Sequence, residues 1–214
     1  MVERGRPRSF DRAAALRQAM EVFWAKGYDG ASLSDLTAAM GINSPSLYAA
    51  FGSKEALFRE AVALFETEGT EIWSAIPEAS TAYEAFERFL VATARAYTRP
   101  GQPAGCLIVL SALNATDANA NVCRELRDKR AANVATLRDR LERAVREGEM
   151  PEGLDCLAVA SFYATVQHGM SIQARDGASY ETLLSVAACA MAAWDGLAAA
   201  APGAGGTRVR ERKS

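Results

Sequence analysis

Apolar residues recur at intervals of three and four positions along most of this chain, the spacing that gathers them on one face of an α-helix. Prolines and glycines, such as Pro77 and the Asp176-Gly177 pair, interrupt the pattern where turns are expected. The pattern predicts an all-α fold of about nine helices. They lie in residues 10–27, 32–40, 44–51, 53–76, a segment that opens at residue 80, 106–113, 119–146, 154–175 and 179–199.

The clearest local signals belong to the second and third predicted helices. Ser32 is followed three residues later by Asp35, the arrangement of a capping box at a helix start. Gly41 ends that helix at a position that often requires a left-handed backbone. Ser44 and Pro45 open the next helix, Ser44 as N-cap and Pro45 as the first helical residue, whose missing amide hydrogen costs nothing there.

The third helix is predicted to have one apolar and one polar side. Asn43, Ser46 and Tyr48 point outward and carry hydrogen-bonding groups, whereas the apolar side is supplied by Ile42, Leu47 and Phe51. Two short helices joined by a tight turn, with a polar outer face on the second, are typical of a helix-turn-helix that enters a DNA major groove. The alternative is an ordinary helical corner in another all-α domain.

The segment resembles the DNA-binding domain of the TetR/AcrR transcriptional regulators. The resemblance rests on Gly41-Ile42, on Tyr48 and Phe51 three residues apart, and on the Ser53-Lys54-Glu55-Ala56-Leu57 segment, together with the preceding helix. It implies a helix-turn-helix domain in residues 1–52 and a helical effector-binding and dimerisation domain in residues 53–200. Residues 201–214, Gly-rich and then basic, are predicted to form a disordered tail.

The resemblance also implies which residues meet DNA. Two recognition helices of a homodimer would enter successive major grooves of a palindromic operator in double-stranded DNA. The predicted DNA-binding residues are Ser32, Asn43, Ser44, Pro45, Ser46, Tyr48 and Lys54. The basic N-terminal arm adds Arg6 and Arg8, which suit an A·T-rich minor groove, although a solvated chain end explains them equally well.

Net charge is distributed unevenly along the chain. The formal charge is −2 over 214 residues. Residues 1–60 hold eight basic and seven acidic residues, residues 61–202 hold twelve and eighteen, and residues 203–214 hold four and one. The acidic excess therefore lies away from the predicted reading head, as expected when one end of the molecule faces phosphates.

The last two helices are predicted to form the dimer interface of the family. They carry large apolar residues among many alanines and serines, which permit close helix approach. The predicted interface residues are Phe162, Val166, Met170, Leu184, Met191 and Trp194; plain core packing within one chain is the alternative.

The middle helices are predicted to enclose a pocket for a small-molecule effector of unknown identity. Its predicted lining is Trp73, Phe86, Phe89, Cys106, Leu110, Tyr163 and Gln167, all equally explicable as core. Cys106 follows Gly105 at a predicted helix start, where the helix dipole would lower the pKa of the thiol and favour sensing of oxidants or electrophiles. The alternatives are an inert buried thiol and a copper site with His168 and Met170.

Several other functions are disfavoured by the sequence. His168 is the only histidine, and no nucleophile elbow or phosphate-binding loop occurs, so an enzyme is not expected. The four cysteines lack C-x-x-C spacing, so no metal or other cofactor is expected and a reduced cytoplasm is the simplest location. No apolar run reaches membrane-spanning length. A helical carrier or enzyme and an architectural DNA binder without effector remain as alternative functions.

Overall fold

The computed structural model describes residues 10–199, and within them the chain is all-α, as predicted. The helices are α1 (Arg12–Gly30), α2 (Leu33–Met40), α3 (Ser44–Phe51), α4 (Lys54–Glu68), α5 (Glu71–Glu78), α6 (Ala82–Tyr97), α7 (Leu107–Leu110), α8 (Ala120–Arg146), α9 (Cys156–Arg175), α10 (Tyr180–Ala192) and α11 (Trp194–Ala199). The predicted basic arm with Arg6 and Arg8, and the predicted tail at 201–214, lie outside the described residues.

Two of the predicted helices are each broken into two. The helix predicted over 53–76 ends at Gly69, whose amide donates to the Phe65 carbonyl, and α5 begins after Thr70. The helix predicted over 179–199 is interrupted at Ala193. The apolar spacing continues across both breaks, so periodicity alone does not reveal them. The helix count therefore rises from about nine to eleven within residues 10–199.

Helices α1, α2 and α3 pack with the start of α4 around one apolar cluster; we call this unit the reading head. Phe23 of α1 and Phe58 of α4 meet edge to face, with ring centroids 5.0 Å apart. Leu36 of α2 and Leu47 of α3 are fully buried beside them. Because each helix contributes large side chains to the same core, α3 is held rigidly with its opposite side to solvent.

Helix α1 changes direction at Gly27. The backbone there has φ 73° and ψ 174°, a conformation outside the helical region and open chiefly to glycine. The Tyr28 amide consequently leaves the helical pattern and donates to the Ser111 carbonyl at 2.9 Å. The helical backbone conformation is therefore interrupted at Gly27, where the first helix was predicted to end, and one further turn follows it.

Helix α6 lies at the centre of the remaining helices, against α5, α9 and α10. Phe86 of α6, Tyr163 of α9 and Trp194 of α11 form an aromatic cluster with ring centroids 4.8 to 5.8 Å apart. Helix α4 is joined to α8 by ion pairs, Arg59 with Glu125 among them. None of the helices in residues 10–199 combines the length and the apolar character needed to cross a bilayer.

Helix α7 is shorter than the predicted 106–113 segment. It comprises four residues, of which Leu107, Ile108 and Val109 are buried, whereas Leu113 is exposed. Two residues before the start of α7, Gly105 has φ +79° and lies against α9. A Cβ atom at Gly105 would be 2.6 Å from the Ser171 carbonyl oxygen, so only glycine allows the chain to approach α9 this closely.

Gly101 provides a matched control for this close approach, because it has the same φ of +79° with no atom within 4 Å of the position that a Cβ would occupy. We expect Gly101→Ala to cost about 1 kcal/mol through backbone strain alone. Gly105→Ala is expected to cost about 2 kcal/mol more, because the methyl group overpacks the contact with α9. Urea unfolding of both variants measures the difference; equal losses would contradict the close approach.

Candidate DNA interface and effector cavity

The start of α3 is fixed by Asn43. Its side-chain Oδ1 accepts the Ser46 amide at 2.8 Å, so Asn43 is the N-cap, Ser44 the first helical residue and Pro45 the second. The predicted N-cap at Ser44 is therefore wrong by one residue, since the amide side chain of Asn43 caps as well as a serine hydroxyl. With Oδ1 engaged in the cap, the Nδ2 group of Asn43 is the part free to meet a ligand.

The outward side of α3 is polar and accessible. Asn43, Ser44 and Pro45 are exposed, Ser46 is half-buried, and Tyr48 keeps 45% of its surface exposed. The side chains on the opposite side, Leu47 and Phe51, are buried. Ser32 at the start of α2 is exposed too, so six of the predicted DNA-binding residues are accessible to solvent at least in part.

Ser32 forms the predicted capping box. Its Oγ accepts the Asp35 amide and the Asp35 carboxylate accepts the Ser32 amide, each at 3.0 Å. Hydrogen bonds from Lys26 and from Ser32 lower the pKa of Asp35 to about 2. The carboxylate is therefore ionised over the physiological pH range, and it anchors the first turn of α2.

Lys54 is engaged within the protein. Its Nζ lies 4.6 Å from the centre of the Tyr28 ring, a cation–π contact, and burial lowers its pKa. A second contact of this kind, which the sequence pattern did not indicate, places the Arg12 guanidinium 4.3 Å from the Phe51 ring at the end of α3. Both cations therefore contact aromatic rings of the reading head.

A cavity of about 180 Å³ opens between α4, α5 and the helices α6 to α9. Its wall is mostly apolar and includes polar groups from three helices, Glu66, Asn133 and Gln167. The remaining lining residues are Phe65, Gly69, Ile72, Trp73, Tyr97, Cys106 and Ile108. An apolar cavity of about 150 Å³ can hold a benzene-sized molecule, so this one suits a small ligand.

The predicted effector residues divide into two groups. Trp73, Cys106 and Gln167 line the cavity together. The prediction is corrected for the others: Phe86, Phe89 and Tyr163 are completely buried in the core, and Leu110 packs near Gly105 without lining the cavity. Periodicity identifies these aromatic residues as inward-facing but does not distinguish core from cavity wall, because both are apolar.

The thiol of Cys106 does not have the predicted acidity. Burial raises its pKa, and this effect outweighs the lowering by the Val109 and Ile108 amides and the Tyr97 hydroxyl. Helix α7 has only four residues, so its dipole is too small to compensate. Cys106 is 8% exposed, and it lies in the wall of the cavity.

Three of the predicted dimer residues are core residues of the protomer. Met170, Met191 and Trp194 are buried within the protomer in α9, α10 and α11, and their part in a dimer interface stays a prediction. Phe162 is 37% exposed, and Val166 and Leu184 are half-buried. The exposed apolar residues of α9 also include Leu157 and Ile172, which were not predicted.

The candidate copper site of Cys106, His168 and Met170 stays a prediction. Within residues 10–199 no group of three or more His, Cys, Asp and Glu side chains could hold a metal ion, and a set that includes a methionine is a different case. His168 is half-buried, and its Nε2 has no partner among the described residues. Burial lowers its pKa, with a smaller effect from Arg130, so the imidazole is mainly neutral near pH 7.

A capped helix with a polar outer face, set on a three-helix core, defines a helix-turn-helix DNA-binding protein. Residues 15–61 match the family described as bacterial regulatory proteins, tetR family, and residues 83–183 match the tetracyclin repressor-like C-terminal domain. The chain therefore belongs to the TetR family of transcriptional regulators. These are DNA-binding proteins rather than enzymes.

Relatives of known class cover nearly the whole chain. It is 34% identical to the HTH-type transcriptional repressor ComR of Escherichia coli K12 over 89% of this chain and 92% of ComR. It is 38% identical to the repressor BdcR of the same organism, over 87% and 90%. A cysteine mutant of the regulator CifR, solved with 26-bp double-stranded operator DNA, is 43% identical with a TM-score of 0.85, covering 89% of this chain and all of that one.

The raised pKa of Cys106 makes a kinetic prediction. Because burial disfavours the thiolate, iodoacetamide should alkylate Cys106 at least about a hundredfold more slowly in the folded protein than in urea. The inflection of the rate against pH should lie higher in the folded protein than in the unfolded chain. Peptide mass spectrometry follows this one cysteine in both states; equal rates would contradict the burial of the thiol.

Proposed function

We propose that this protein is a homodimeric transcriptional repressor that leaves a palindromic operator when a small molecule occupies the cavity beside Cys106 or modifies its thiol. The observation that carries the DNA-binding part is the exposed polar side of α3, held by a buried apolar side. The ComR and BdcR relatives, both named as repressors, support repression rather than activation. Because it would bind operator DNA, we expect the protein to be located in the cytoplasm.

The proposed DNA contacts follow from exposure. Asn43, Ser44 and Pro45 form the leading end of α3, and Tyr48 follows one turn later on the same side. Short polar side chains at a helix N-terminus suit phosphate oxygens and base edges in the major groove. The Ser32 end of α2 would meet the backbone, and Lys54 would act by supporting Tyr28. The CifR variant, solved as a complex with 26-bp double-stranded operator DNA, supports operator binding by a chain of this fold.

Dimerisation is supported by the surface of α9. Leu157, Phe162 and Ile172 are 54%, 37% and 47% exposed, three large apolar side chains on one helix. The adjoining surface of α10 is formed by small residues, among them Ala188 and Cys189, which are exposed. A second copy packed on this face would remove the apolar surface from water. A twofold pair of reading heads would also supply the base-pair contacts that one short helix lacks.

Effector response is supported by the place of the cavity. It lies between α4, which enters the reading head, and the segment 104–110, which contacts α1. A molecule that binds there would stabilise one arrangement of these elements over another, which is the requirement for allostery. The cavity volume favours a small compound of about ten non-hydrogen atoms. The mostly apolar wall suits an apolar compound, and the Cys106 thiol in that wall would react with an electrophilic one.

Tyr48→Ala tests the DNA-binding part of the proposal. We expect operator affinity to fall at least about tenfold, because the substitution removes the Tyr48 side chain from the helix face that would enter the groove. The free energy of unfolding should change by less than about 0.5 kcal/mol, since Tyr48 lies on the surface. Fluorescence anisotropy with DNA from the promoter upstream of the gene measures the affinity.

Tyr83→Ala is the matched control for this experiment. Tyr83 lies on α6, outside the reading head, and is 43% exposed against 45% for Tyr48. It should leave operator affinity unchanged. If both variants bind like the unaltered protein, or if the affinity does not fall with added salt, α3 is not the DNA-binding element.

N-ethylmaleimide tests the effector part, because it is a small electrophile that the cavity can hold. After complete modification of Cys106, we expect operator affinity to fall at least about tenfold. The experiment uses protein in which the other three cysteines are replaced by serine, and the Cys106→Ser variant should keep full affinity. Unchanged affinity after full modification would reject Cys106 as the switch and favour an architectural DNA binder or a reversible ligand.

A further inference from the structure

The break of α1 at Gly27 takes the Trp24 carbonyl out of the helical hydrogen-bond pattern. In an unbroken helix this carbonyl would accept the Tyr28 amide. The Tyr28 amide instead donates to the Ser111 carbonyl. Carbonyl groups that are left open at a helix C-terminus carry partial negative charge and attract cations.

Arg175, the last residue of α9, occupies this position. Its Nη2 donates to the Trp24 carbonyl at 2.7 Å and its Nη1 to the Ala25 carbonyl at 2.8 Å. Its Nε donates to the Ala104 carbonyl at 3.0 Å. One guanidinium thus joins the reading head, the segment before α7 and the C-terminal end of α9, which its rigid fork of donors makes possible.

The same elements are joined a second time through neighbouring groups. The Trp24 indole Nε1 donates to the Gly105 carbonyl at 3.1 Å. The Cys106 amide donates to the Ser171 hydroxyl at 2.8 Å, one turn before Arg175 on α9. The hydrogen bonds therefore form a closed ring, from Arg175 to α1, to residues 104–106, and back to α9 through Ser171.

We propose that Arg175 is the positioning residue that fixes the reading head to the C-terminal helices and carries any displacement of residues 104–106 to α1. Cys106 belongs both to the ring and to the cavity wall, so a change in the cavity moves a segment that shares Arg175 with α1. The part of this inference that concerns regulation rests on the proposed function. It names the group through which the effector state reaches the DNA-binding surface.

The experiment compares Arg175→Ala, Arg175→Lys and a control in the full-length protein without any effector. Arg138→Ala is the control, because Arg138 pairs with Asp139 and Glu142 of its own helix. Operator affinity is measured by anisotropy, and oligomeric state by sedimentation. The exchange rate of the Trp24 indole N–H is measured by NMR, with its signal assigned through Trp24→Phe.

We expect Arg175→Ala to lower operator affinity about tenfold, because freed reading heads lose more conformational freedom on binding DNA. The Trp24 indole should exchange at least about tenfold faster while the Trp73 and Trp194 signals stay unchanged. Arg175→Lys should be intermediate, since an ammonium cannot span three carbonyls. A purely structural role would predict a loss of unfolding stability with the Trp24 exchange changed no more than that of the other two indoles.

The inference is overturned if Arg175→Ala matches Arg138→Ala within about twofold in both operator affinity and Trp24 exchange. Arg175→Lys answers the same question if the alanine variant does not fold. If the unaltered protein binds no operator, the proposed function fails, whereas the indole exchange still decides the role of Arg175. If N-ethylmaleimide fails to release operator but Arg175→Ala weakens it, the effector proposal alone is rejected.

Discussion

The meeting of α1 with residues 104–111 is the constraint on which the arrangement of the whole chain depends. Gly27 makes it possible, since a Cβ there would lie 3.1 Å from the Ser111 carbonyl oxygen and φ is +73°. The bend releases the Tyr28 amide to Ser111 and opens the Trp24 carbonyl, which Arg175 caps. A straight α1 would satisfy its own carbonyls and would offer nothing to the C-terminal helices. The junction is therefore built from backbone groups that a local irregularity sets free.

The reading head was predictable because its signals are local. Ser32 and Asp35 stand three residues apart, and the capping box they predict is present with both hydrogen bonds. Gly41 adopts the left-handed conformation expected at a helix end. The misplaced N-cap of α3, Ser44 for Asn43, arises because two capping residues stand side by side and only the backbone decides between them. The bounds of α2 and α3 depend on interactions between residues a few positions apart, so the residues that set them can be read from the sequence.

The cavity was only partly predictable because its wall is drawn from several helices. Trp73 and Gln167 were identified by residue type, whereas Phe65 and Asn133 depend on how α4 and α8 approach each other. The break at Gly69 could not be read from apolar spacing, yet it places Phe65 and Trp73 on the same cavity. The acidity of Cys106 was mispredicted for the same reason: a helix start is a local feature, but the burial that raises the pKa of the thiol comes from distant residues.

The two kinds of contact in this molecule suit a regulator with two geometries. Inside the reading head, large apolar side chains such as Phe23 and Phe58 are fully enclosed, and losing one would cost about 3 to 5 kcal/mol. Between the reading head and the C-terminal helices, hydrogen bonds accompany apolar packing, because one apolar cluster runs through both parts. Each hydrogen bond makes a net contribution of about 1 to 3 kcal/mol. A small ligand supplies a coupling free energy of about 1 to 3 kcal/mol, enough to exchange several such bonds but not to repack a core. Under the proposed mechanism the head would move as a unit while α3 keeps its shape, and the few hydrogen bonds around Arg175 would be the interactions whose energy matches that coupling free energy.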